Sequence, residues 1–114
     1  MKRALFSAAL GLLFTLGGPP GDVLADELPT FNVVMKDGRI QPETLEVPAN
    51  TRFRVVVRND GPGAAEFESV ELKKELVLAP GVTRSLVFFP LKPGAYRFFD
   101  DFHPATGQAR IVAR

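Results

Sequence analysis

From about residue 30 onward, apolar and polar residues alternate in short runs, and each run stops at a turn signal. The clearest run is Thr51–Asn59, where Phe53, Val55 and Val57 alternate with Arg52, Arg54 and Arg58. Side chains on a strand point to opposite faces in turn, so this run has a core face and a solvated arginine face. Phe31–Met35 predicts a first strand, Thr44–Val47 a short second one and Gln108–Ala113 a closing one. Arg84–Phe89 and Ala95–Phe99 flank Pro93-Gly94 and predict a hairpin. Val70–Leu76 reads as a helical turn or an irregular crossover, because Glu71 and Glu75 stand at helical spacing. Turns are predicted at Lys36-Asp37-Gly38, Val47–Asn50, Asn59–Gly63, Ala79-Pro80-Gly81 and Lys92-Pro93-Gly94. Short strands at this spacing predict an all-β sandwich or barrel.

The first 25 residues break this pattern. Lys2 and Arg3 precede an apolar run from Ala4 to Leu16, then Gly17-Gly18-Pro19-Pro20, then Val23-Leu24-Ala25. That is the layout of a secretory signal peptide cleaved after Ala25, which predicts a periplasmic protein. The alternative is an uncleaved anchor, but the run is shorter than the roughly 20 residues a spanning helix needs. Residues 26–114 then form the single domain.

Composition narrows the chemistry. The chain has 114 residues, 14 basic and 13 acidic, so no strong positive charge points to nucleic acid. It has no Cys, which removes disulfides, thiolate metal sites and cysteine nucleophiles. Its single His leaves few catalytic groups, and no Ser sits in a nucleophile elbow, so a hydrolase is disfavoured.

The chemistry-bearing stretch is Tyr96-Arg97-Phe98-Phe99-Asp100-Asp101-Phe102-His103. A strand ends, two carboxylates follow, and the only His stands three residues after Asp100, where a loop can converge oxygen and nitrogen on one cation. Glu66 and Glu68 are two apart, so on a strand they share a face while Phe67 points to the core. Met35 adds a thioether, which is either a soft metal ligand or a core side chain. The candidate metal set is thus Glu66, Glu68, Asp100, Asp101, His103 and Met35.

Those residues also carry a resemblance. Gly94-Ala95-Tyr96-Arg97-Phe98, Asp100, His103 and Gly107-Gln108 resemble the strand and ligand loop of cupredoxins, the small Greek-key copper domains. Asn59-Asp60-Gly61 and Glu66-Phe67 resemble the segment around that family's other copper histidine. In this alignment the family's Cys falls on Asp100, its first His on Ala65, its Met on Gln108, and only His103 keeps a ligand. Without the thiolate a blue copper site is excluded.

A narrower resemblance rests on Glu66-Phe67-Glu68-Ser69, Pro80-Gly81, Pro90-Leu91-Lys92-Pro93-Gly94 and Phe98–His103. These are similar to EfeO-type cupredoxin-like proteins of bacterial iron uptake. That resemblance implies a copper site, an iron site or both, with an iron permease and a companion periplasmic iron-binding protein as partners. It also implies ferrous oxidation or iron delivery as the task. A carboxylate-rich set suits Cu(II) or iron better than Cu(I). A homodimer sharing one metal is a further option. The alternative from another class is a metal-free β-sandwich that docks a partner protein through an acidic patch.

Overall fold

The computed structural model describes residues 27–114; the leader expected over residues 1–25 lies outside them. Nine strands follow in chain order: β1 (Thr30–Lys36), β2 (Arg39–Gln41), β3 (Thr44–Val47), β4 (Phe53–Asn59), β5 (Ala65–Ser69), β6 (Lys74–Leu78), β7 (Thr83–Phe88), β8 (Gly94–Asp100) and β9 (Gln108–Ala113). They build two sheets, ordered β2-β1-β4-β7 and β3-β9-β8-β5-β6. The β1–β4 and β3–β9 pairs are parallel, and the other pairs are antiparallel.

The alternation of the sequence is what closes the sandwich. Phe53, Val55 and Val57 of β4 are fully buried, while Arg58 of the opposite face is exposed. Four phenylalanines bridge the two sheets. Phe53 of β4 stacks on Phe88 of β7 with centroids 4.9 Å apart, and Phe67 of β5 stacks on Phe98 of β8 at 4.6 Å. An edge contact of 6.4 Å between Phe67 and Phe88 joins the two stacks. Each ring removes a large apolar area from water, and the offset geometry adds to that burial.

Turn chemistry sets the pairing where the chain reverses. β1 and β2 are joined by Asp37-Gly38 alone, with φ of 51° and 77°. A two-residue hairpin matching the strand twist needs two positive φ values, which Gly tolerates best and Asp better than most. The three-residue β2 was not anticipated from pattern, being too short to show a period.

Two expectations are corrected. The strands flanking Pro93-Gly94 do not form a hairpin: β7 pairs with β4 in one sheet and β8 with β9 and β5 in the other. Pro90 and Pro93 have no N–H to donate to a ladder, so the segment between them crosses from sheet to sheet. Val70–Leu76 is neither a helical turn nor a crossover. A tight turn ends at Lys73, with φ 56° and its N–H donated to the Val70 carbonyl, and β6 follows at once. Leu76 and Leu78 are buried and Glu75 and Val77 are exposed, which is the period of a strand.

Phe67→Ala removes the ring that links both stacks. It is expected to cost about 3–5 kcal/mol in urea unfolding, with the cavity left behind adding to the lost burial.

Candidate metal centre

Strand parity sorts the candidate residues into two places. On β8, Phe98 and Asp100 point into the sandwich, so Arg97, Phe99 and the following Asp101 lie on the outer side. On β5, Phe67 points in while Glu66 and Glu68 point out. The adjacent aspartates therefore serve different sites.

The inner site lies at the end of the sandwich, in a depression of about 250 Å³ lined in part by Gly38, Asn59, Ala65, Asp100 and His103. Asp100 is 1% exposed and fully engaged. Its Oδ1 accepts the N–H groups of Glu66 and Phe102, both at 3.0 Å, and its Oδ2 lies 3.0 Å from His103 Nδ1. A carboxylate on Nδ1 fixes the ring and its tautomer, leaving Nε2 as the free nitrogen. The His103 side chain is 45% exposed, so that nitrogen is within reach of solvent. Gly107 closes behind, where an added Cβ would stand 2.8 Å from Asp100 Cβ. Asn59 secures the other wall: its Nδ2 donates to the carbonyls of Gly63 and Leu78, and its Oδ1 accepts the Gly61 N–H.

Of the four positions aligned with copper ligands, Ala65, Asp100 and His103 meet at this depression. Gln108 does not: it pairs with outward-facing Phe99, and its Nε2 donates to the Pro104 carbonyl. One imidazole, an alanine and a carboxylate already holding two amides do not fit a blue copper centre, which needs a thiolate. Met35 is not part of this set. It is fully buried in the hydrophobic core on β1 and does not line the depression, while Glu66, Glu68 and Asp101 face outward from the other sheet.

The outer site is a carboxylate cluster. Glu66, Glu68 and Asp101 each offer an oxygen, and these oxygens lie within 4.8 Å of one another. Glu75 of β6 stands directly opposite Glu68 in the ladder. Glu66 is only 5% exposed. Its carboxyl is pushed up to about 7, first by a hydrogen bond with Glu75, then by burial, then by the charges of Glu75, Asp101 and Glu68. Burial, followed by the charges of Asp101 and Glu75, also raises Glu68. Acids crowded this way hold a proton or a cation in place of bare charge. The cluster is a candidate metal site, and its oxygen-only donors suit a hard cation.

The backbone couples the two sites. The Glu66 N–H grips Asp100, and the Glu66 carbonyl accepts the Asp101 N–H at 2.9 Å. Glu75 was missed in the sequence because a helical spacing with Glu71 was read in place of the alternation through Leu76 and Leu78. That alternation is the signal that finds it.

The chain matches the cupredoxin-like domain family over residues 6–113. It belongs to that family, as an all-β two-sheet sandwich without the cysteine of blue copper proteins. It is 32% identical over 108 residues to the uncharacterized protein RP394 of Rickettsia prowazekii (strain Madrid E), covering 95% of this chain and 85% of that one. Among solved structures it resembles dithionite-reduced auracyanin of Roseiflexus castenholzii, with TM-score 0.63, 11% identity, and 75% of this chain and 96% of that one covered. It also resembles auracyanin B, with TM-score 0.66, 14% identity, and 82% and 94% covered. At such identities the likeness is one of fold.

Two outcomes test this geometry. Asp100→Ala orphans the Glu66 and Phe102 amides and is expected to cost about 2–4 kcal/mol in urea unfolding. The second test concerns pH. Because the Glu66 pKa of about 7 in the folded chain exceeds its ordinary value of 4.5, the folded state binds the extra proton between those values. Stability from this group is complete below 4.5 and is lost as pH rises through 7. Thermal melts in chelator are expected to show a decline over that window which Glu66→Gln flattens.

Proposed function

We propose that this chain is an exported, periplasmic metal-binding protein that holds iron as cargo and passes it to an iron permease. Glu66, Glu68 and Asp101 would hold the ion, with Glu75 as the neighbour that takes or releases the Glu66 proton. One observation carries the reading: a nearly buried Glu66 carboxyl stands among acids, and its hydrogen bond with Glu75, its burial and the charges of Glu75, Asp101 and Glu68 all raise its pKa. Carboxylate oxygens favour Fe(III) over Fe(II), so such a site holds ferric iron more tightly than ferrous iron. The export signal and the likeness to EfeO-type proteins supply the uptake context, including a companion periplasmic iron-binding protein. Cu(II) is the second metal for this chain, with His103 Nε2 as a separate nitrogen donor in the inner depression.

A second reading is favoured by the position of the cluster. It lies on the outer face of a sheet, where an acidic patch can dock the basic surface of a partner without metal.

Calorimetric titration with Fe(II), Fe(III) and Cu(II) separates these readings. Iron is expected to bind and to raise the melting temperature, as any ligand of the folded state does. Glu66→Gln and Glu68→Gln are expected to weaken that binding by about tenfold or more, and His103→Ala to leave it intact. Absence of iron binding, or equal loss in His103→Ala, would overturn the metal reading and leave the docking module.

A further inference from the structure

The outer face of the five-stranded sheet carries a second charge cluster, of opposite sign. Arg97 of β8 and Arg110 of β9 stand directly opposite each other in the antiparallel ladder. Both side chains are on the outer face, because their inward neighbours Phe98 and Ile111 are buried. Like charges facing each other across a strand pair are destabilising, since their Cβ atoms are only about 5 Å apart. Exposed arginines usually relieve this with a carboxylate. Two others in the chain do so: Arg58 pairs with Asp60 at 2.7 Å and Arg114 with Glu46 at 2.9 Å. Among the described residues, neither Arg97 nor Arg110 has a carboxylate within ion-pair distance.

Their surroundings form a receptacle. Arg97, Arg110, Gln108, Thr44 and Glu43 line a shallow depression of about 390 Å³. Arg110 is held in place from below: its Nε donates to Thr44 Oγ1 at 3.3 Å, which leaves its terminal nitrogens free and the Thr44 hydroxyl proton available to a ligand. The Arg97 backbone is fixed on both sides, with its N–H donated to Glu71 Oε1 at 2.5 Å and its carbonyl accepting Ser69 Oγ at 2.8 Å. Two guanidinium forks on adjacent rigid strands are matched to an anion with at least two oxygens.

We propose that Arg97 and Arg110 form a binding site for a small oxyanion of the phosphate or polycarboxylate class. The site is small by its electrostatics as well as by its volume. Glu43 lines it and Glu71 touches the Arg97 backbone, so an extended polyanion meets negative charge on either side. A compact anion over the arginine pair does not. The site is independent of the carboxylate cluster in its residues and in the sign of its ligand.

The test is a titration of the purified chain with inorganic phosphate and, separately, with citrate, followed by amide NMR shifts and calorimetry. Metal is stripped beforehand on an immobilised chelating resin and no soluble chelator is added, since a dissolved polycarboxylate chelator would itself compete for the arginine pair. Saturable binding is expected, with shifts centred on Ala95–Arg97 and Ala109–Arg110. Arg97→Gln and Arg110→Gln are each expected to weaken it by about tenfold, the scale of one lost charge-assisted bond. Arg39→Gln, on the other sheet, is the control and is expected to change nothing. Circular dichroism melts confirm that each variant folds. Binding of phosphate alone, or of citrate alone, supports the site and assigns its ligand to that source. Overturning results are the absence of saturation for both anions, or an equal loss in Arg39→Gln, which would mean diffuse charge attraction.

Discussion

Asp100 stands where a strand, a loop and two sites meet, and much of the molecule depends on its hydrogen bonds. A buried carboxylate is tolerated only when its oxygens are satisfied. Here Glu66 and Phe102 supply amides and His103 supplies a ring nitrogen. The same three contacts tie β5 to β8, shape the turn from Asp100 to His103 and aim the only imidazole outward. The residue that the sequence resemblance places at the family's cysteine position is here an organising group. It positions His103 instead of competing with it for an ion.

That arrangement explains why the chain keeps a cupredoxin-like sandwich without a blue copper centre. The fold supplies a rigid end formed by β5, β8 and the loops beside Gly38 and Gly107, where an added Cβ meets Thr106, His103 or Asp100. Ala65 contributes no donor to that end. Glu66 lends its amide to the inner site and its carboxyl to the outer carboxylate cluster, the candidate metal site. Neighbouring residues on one strand face opposite ways, so residues adjacent in sequence reach both the mouth of the sandwich and its flank.

Much of the fold was legible in the sequence because the signal is local. β3 and β9 match the expected runs, and β1, β4 and β8 match to within two residues, since each shows the two-residue period over its own length. What was hidden was pairing. Nothing local says that β7 and β8 belong to different sheets, and only the prolines between them hint at a crossover. The site was legible to the same extent. Glu66 and Glu68 were placed on one face with Phe67 inward, as the structure has them. The separation of Asp100 from Asp101 follows from the same rule, applied through Phe98. The approach of Glu75 to Glu68, and of Arg97 to Arg110, depends on register between strands and had no local signal.

The outer face of the five-stranded sheet sorts its charges by strand. Acids face each other at Glu68 and Glu75, and bases face each other at Arg97 and Arg110. A face selected only for solubility intersperses the signs, because opposite charges across a ladder stabilise and like charges do not. Salt bridges were available: Glu68 sits opposite Phe99, two residues along the strand from Arg97, within the reach of long side chains on the diagonal. Yet the pairs remain sorted, and Glu66 stays nearly buried among the acids. Each half of the face bears the strain of its own repulsion, which a ligand of the opposite sign relieves. The cation site proposed beside β5 and β6 and the anion site proposed on β8 and β9 therefore rest on one arrangement of charge.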